Sequence, residues 1–162
     1  MAVKAATLAE LGTARIAHMR SIMAVGIGLL LAIMLGLIVV LGILAPILTT
    51  FVGWTRGGPE ALPLVLLAFA AAFSFYFGGI AASYKAPSRH RLHGILVAPT
   101  AFVLSSAFNF ALGKGLLPGV EGASAVGLVI VFLLVSTLAS YVGAKRGEAI
   151  YAHNQKVARR RR

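Results

Sequence analysis

FSFYFGGIAASYKAPSRHRLHG, Phe73–Gly94, is where the chain turns around. An apolar run ends in small residues, passes through a loop holding Lys85, Pro87, Arg89 and Arg91, and re-enters an apolar run at Gly94. A segment that leaves an apolar phase, exposes three cations and returns reads as the short connection between two membrane crossings. One hairpin is then expected on each side of it.

Composition agrees. Of 162 residues, 59% are hydrophobic and 12% charged, about half the charged share of an ordinary soluble domain, which is ~25%. With mean hydropathy +0.93, the chain cannot clothe itself in polar surface, and lipid is the solvent it suits. There is no cysteine, which excludes disulfides, thiol chemistry and thiolate-bound metals. The net charge of +11 is compatible with nucleic acid, but in a chain built of apolar runs it points to anionic lipid headgroups and to control of topology. No nucleic-acid partner is expected.

Working outward, uncharged runs cover residues 22–48, 62–84, 94–112 and 123–143. About 20 apolar residues at ~1.5 Å each cross ~30 Å of hydrocarbon, so each run is long enough to span, the third only just. Backbone polar groups have no water to bond inside a bilayer, so each crossing is predicted to be helical. The runs lack the apolar–polar alternation of a membrane barrel. The expected fold is an all-α integral membrane protein, a bundle of four transmembrane helices in two hairpins.

Residues 1–21 read as a cytoplasmic interfacial helix. Thr7 and Glu10 have capping-box spacing, and Leu8, Leu11, Ile16 and Met19 can share an apolar side. A solvated arm is the alternative. A cleaved signal sequence is not expected, because the following apolar run is too long. Pro46 should loosen the end of the first span, and Trp54 suits an interface. Residues 55–61 and 113–122 are Gly/Pro loops. Residues 144–162 read as a basic cytoplasmic tail.

Cation placement orients the molecule. Lys4, Arg15 and Arg20 precede the first run; Lys85, Arg89 and Arg91 fill the central loop; Lys145, Arg146, Lys156 and Arg159, Arg160, Arg161 and Arg162 follow the last. Only Arg56 and Lys114 lie in the other two connections. Thirteen cations of 15 on one side is a strong positive-inside bias. It predicts a multi-pass protein of the cytoplasmic membrane with both termini and the central loop inside.

Membrane helices associate through small residues that let backbones approach. Such ridges occur at i, i+4: Ala24, Gly28, Ala32 and Gly36 in the first run; Ala70, Ser74, Gly78 and Ala82 in the second, flanked by Gly79 and Ser83; Ala101, Ser105 and Asn109 in the third; Ser136, Ser140 and Ala144 in the fourth. They are expected to form the packing seam, or else the face of a homo-oligomer or larger complex. The two halves also carry a short repeat, Tyr76-Phe77-Gly78-Gly79 against Tyr141-Val142-Gly143-Ala144, each after a loop with Gly, Pro and Glu.

Chemistry is sparse. There is no Asp, and none of the four Glu lies in a run; proton- and ion-coupled carriers generally place an acid near the midplane. His18, His90, His93 and His153 all lie at run ends, without a third metal ligand. No nucleophile triad, P-loop or glycine fingerprint occurs. No cofactor or metal is expected. Asn109 is the most polar side chain within a run; it reads as glue between helices, or, with Ser105 beside Pro99, as a polar path. Arg159–Arg162 are the surface most suited to anionic lipid or an acidic partner.

Gly78, Gly79, Arg91, His93 and Gly94 also carry a resemblance. A Gly-Gly pair near the end of helix two, a basic loop and a His-Gly pair opening helix three look like a class of small bacterial four-helix membrane proteins of unknown function. The resemblance covers this stretch alone; it implies four spans and no activity. The expected role is non-enzymatic: a structural, scaffolding or accessory subunit of a membrane assembly. The alternative is a small oligomeric transporter or pore, holin-like or exporter-like.

Overall fold

The computed structural model describes residues 2–51, 61–114 and 122–161. Trp54, Arg56, Arg162, most of the 55–61 loop and the centre of the 113–122 loop lie outside the described residues. Those described are helical, with no strand among them. Four helices are long and apolar enough to span a membrane: His18–Ile47, Pro63–Lys85, His90–Ala111 and Gly122–Arg160.

The first rod begins as α1 (Ala2–Leu37), passes through a π-helical stretch (Ile38–Leu44) and ends as α2 (Ala45–Phe51). α1 runs unbroken from the segment read as interfacial into the first apolar run. The π stretch has a local cause. Pro46 has no N–H, and its ring crowds the carbonyl four residues back; widening the preceding turn relieves that, and Ala45 N–H bonds the Val40 carbonyl five residues back.

The second rod is α3 (Ala61–Lys85). The connection that follows is tight, because helix resumes at His90. Arg89, at φ 44°, ψ 47°, takes the left-handed conformation that reverses the chain. Its carbonyl accepts bonds from the Leu92 N–H at 2.9 Å, the His93 N–H at 3.4 Å and the His93 ring at 3.1 Å. Three donors on one oxygen hold an arrangement that costs ~1–2 kcal/mol in a non-glycine residue.

The third rod is α4 (His90–Ile95) and α5 (Val97–Ala111), with a hitch at Leu96. Pro99 again explains it: it leaves the Ile95 carbonyl without its helical donor and presses on it. The fourth rod, α6 (Gly122–Arg160), has 39 residues and is ~58 Å long at 1.5 Å per residue. It extends well beyond the apolar run, through the segment that composition marked as a tail.

α3 is the central helix, with α1 on one side and α6 on the other. The rods alternate in direction, so Arg20, Lys85, Arg89, Arg91, Lys145 and Arg146 gather at one end and Lys114 at the other. The outside is apolar: Phe69 is 71% exposed, Phe108 65% and Leu138 63%. Apolar surface of that extent needs an apolar surrounding.

Candidate functional site

At the charged end the rods are locked backbone to backbone. A Cβ on Gly28 would lie 2.5 Å from the Gly78 carbonyl oxygen, and one on Gly78 would lie 2.7 Å from that of Gly28. This pair closes α1 on α3, with Ala32, Ala82 and Val97 buried around it. The neighbouring face of α3 meets α6 more closely still. A Cβ on Gly79 would strike the Ser140 carbonyl, one on Gly143 the Tyr76 carbonyl, and one on Gly147 would lie 2.5 Å from the Ile80 carbonyl. Gly94 enters this seam from α4, where an added Cβ would strike the Ala144 side chain and lie 2.9 Å from the Gly79 carbonyl oxygen.

Hydrogen bonds tie the same place. Ser83 Oγ donates to the Ala144 carbonyl at 2.9 Å and Ser140 Oγ to the Gly94 carbonyl at 2.6 Å, both buried. His90 Nδ1–H donates to the Ser83 carbonyl at 2.8 Å. The His90 ring lies 4.4 Å from that of Tyr151, and Tyr151 meets Tyr84 edge-on at 6.1 Å. Arg91 Nε donates to the Glu148 carboxylate, pairing the start of α4 with the extended part of α6.

One turn beyond this locked region the rods part. A cavity of about 670 Å³ opens between α1, α3, α5 and α6, lined by apolar side chains such as Leu29, Phe75, Phe102 and Phe132. Ser105 and Ser136 are its polar groups, and no charged residue lines it. A second cavity of about 560 Å³ shares Ile33, Ala71, Phe75 and Phe132 with it and continues along α1 and α3. Roughly 300–1,000 Å³ is the usual size of a small-ligand site. Past Ala98 no residue of α5 is buried: the third rod leaves the bundle at the Pro99 hitch.

The residues singled out from sequence fall into both regions. Gly28, Ala32, Ser74, Gly78, Gly79 and Ser140 are buried in the helix contacts. Gly36 faces α3 with room for a Cβ, 3.5 Å from Ser74 Oγ. Ser74 bonds its own helix, at the Ala70 carbonyl. Ser105 lines the larger cavity, whereas Asn109, half-buried on α5, is outside its lining. Arg159 and Arg160 are helical and Arg161 follows in a turn. His90 and His93 bond different carbonyls, and among the described residues no group of three His, Cys, Asp or Glu is placed to hold a metal. The helical parts of the short repeat are neighbours: Gly143 packs on the Tyr76 backbone.

Three residues central to the lock, Gly94, Gly143 and Gly147, were not in the ridges read from spacing. The signal for the latter pair was present, at i, i+4 one stripe over from Ser140 and Ala144.

No known protein family, curated protein or solved structure matches the chain.

Proposed function

We propose that the chain is a non-enzymatic, multi-pass protein of the cytoplasmic membrane that serves as a scaffolding or accessory subunit of a membrane assembly. Its charged end and both termini face the cytoplasm, with the start of α1 in the headgroup region. The orientation rests on the distribution of the cations. The role rests on one observation: a locked half carries an open half whose apolar cavity, between all four rods, holds no charged group. A rigid base with unfilled apolar surface at membrane depth suits reception of a partner's helix, since membrane helices join by close packing.

The test uses the absence of cysteine. A photo-crosslinker attached at Phe108→Cys, on the cavity, is expected to give one adduct of discrete protein mass in native membranes. The same probe at Leu138→Cys, on the outward face of α6, should label lipid. Lipid adducts alone from both positions would contradict the subunit role.

A small oligomeric transporter or pore is the second reading, favoured by Ser105 and Ser136 facing the cavity. In proteoliposomes it requires release of a small amphiphilic dye that Ser136→Phe abolishes; release no faster than from empty vesicles rejects it.

A further inference from the structure

A third hollow lies at the charged end, on the outside of the bundle. This groove of about 320 Å³ has α3 as its floor and α1 and α6 as its walls. Its inner part is apolar: Ile27 and Leu31 from α1, Phe77 and Ala81 from α3. Its other end is formed by Tyr84, Lys85 and Asn154. We propose that this groove binds one anionic phospholipid of the inner leaflet, with an acyl chain along the apolar part and the phosphate at Lys85. The proposal rests on the membrane orientation given above.

The polar end is built for an anion. The Lys85 ammonium lies 5.9 Å from the centre of the Tyr84 ring, so cation and phenol share one end. Asn154 Nδ2 donates to Tyr84 Oη at 3.2 Å, which leaves the tyrosine proton free to be donated outward. Tyr84 is held in place by the edge of Tyr151. The one acid nearby, Glu148, is committed to Arg91, and Lys85 makes no ion pair among the described residues.

A second cation stands level with the first. Arg20 is seven residues before Ile27, hence on the same face of α1 two turns nearer the charged end. Gly28 crosses α3 at Gly78. Arg20 is eight residues from that crossing and Lys85 seven, so both are ~11–12 Å along their helices from it. Two cations at one depth, beside a phenol and an amide, with an apolar channel leading away from them, match a phosphodiester joined to a hydrocarbon tail. A free phosphate would leave the channel unused.

The test is native mass spectrometry of the full chain in mild detergent with added phosphatidylglycerol or phosphatidylcholine of the same acyl composition. One phosphatidylglycerol per chain is expected to be retained where phosphatidylcholine is lost. Lys85→Gln and Arg20→Gln should each lower retention roughly fivefold. Ala81→Phe, which fills the channel without touching charge, should lower it too, with the melting temperature recorded as a check on the fold. Replacing Arg159, Arg160 and Arg161 by Gln should leave the first lipid bound. Equal retention of the two lipids, or loss only in the tail variant, overturns the site. A chain that failed to float with phosphatidylcholine vesicles would overturn the membrane reading itself; one that floats yet retains no phosphatidylglycerol overturns the site alone.

Discussion

The two halves of the bundle are made of the same kinds of residue and behave differently. At the charged end, six glycines bring helices so close that an added Cβ would meet a neighbouring backbone, and Ser83 and Ser140 stitch three rods together. In the opposite half, Leu44 and Ala70 still pack together with Val39, Val40 and Leu66, but Gly42 and Gly127 have nothing within 4 Å of an added Cβ, and two cavities open between the rods. Small residues therefore do not close an interface by being small. They close it where two stripes face each other at the same depth. Without such a match, bulky side chains such as Phe75, Phe102 and Phe132 line open space between the rods.

The sharpest way to break this contrast is at glycine. Gly143→Leu is expected to abolish a monodisperse bundle, because the added side chain has the Tyr76 backbone in its place. Gly127→Leu should change stability by no more than about 0.5 kcal/mol. Size-exclusion profiles and thermal melts in one detergent compare them; similar losses would erase the difference between the halves. A finer version uses a single methyl. Gly28→Ala should cost about 1–3 kcal/mol, as overpacking does, whereas Gly36→Ala, with space for its methyl, should be neutral or stabilising by up to about 1 kcal/mol.

The serines give a smaller effect. Ser140→Ala removes a bond between rods and is expected to cost about 0.6–1.7 kcal/mol in reversible unfolding. Ser74→Ala removes a bond within one helix and should cost less. Equal losses would mean that the bridge to Gly94 adds nothing. Smallest of all should be Ala101→Leu, which grows into the larger cavity. A melting temperature unchanged or slightly raised is expected; a loss of several degrees would mean that the cavity is closed in solution.

Much of this was legible in the residues. Four apolar runs separated by loops give four helices long enough to span, and the cations sort to one end because successive rods alternate in direction. The stripe Gly28, Ala32, Ser74, Gly78 could be found by spacing. On α6, Ser140, Gly143, Ala144 and Gly147 form two adjacent small columns; spacing marks Ser140 and Ala144, and both columns lie in the seam, Gly143 and Gly147 against the α3 backbone and Ser140 and Ala144 between α3 and α4. The extension of α6 was missed because residues 144–160 are polar. They are nonetheless rich in Ala, Lys, Arg, Glu and Gln, good helix formers, and Gly147, Ile150, Asn154 and Val157 recur at helical spacing. The cavities had no sequence signal, because each is lined by residues of three or four helices far apart in the chain. The groove at Lys85 joins three segments that are far apart in the chain.

Sidedness is the most direct test of the whole account, and a cysteine-free chain makes it simple. Ser88→Cys and Lys114→Cys, each alone, would be exposed to a membrane-impermeant maleimide in intact cells. Labelling at position 114 without permeabilisation, and at position 88 only after it, is the expected result. Equal labelling of the two in intact cells, or the reverse order, would contradict a four-span bundle with its charged end in the cytoplasm.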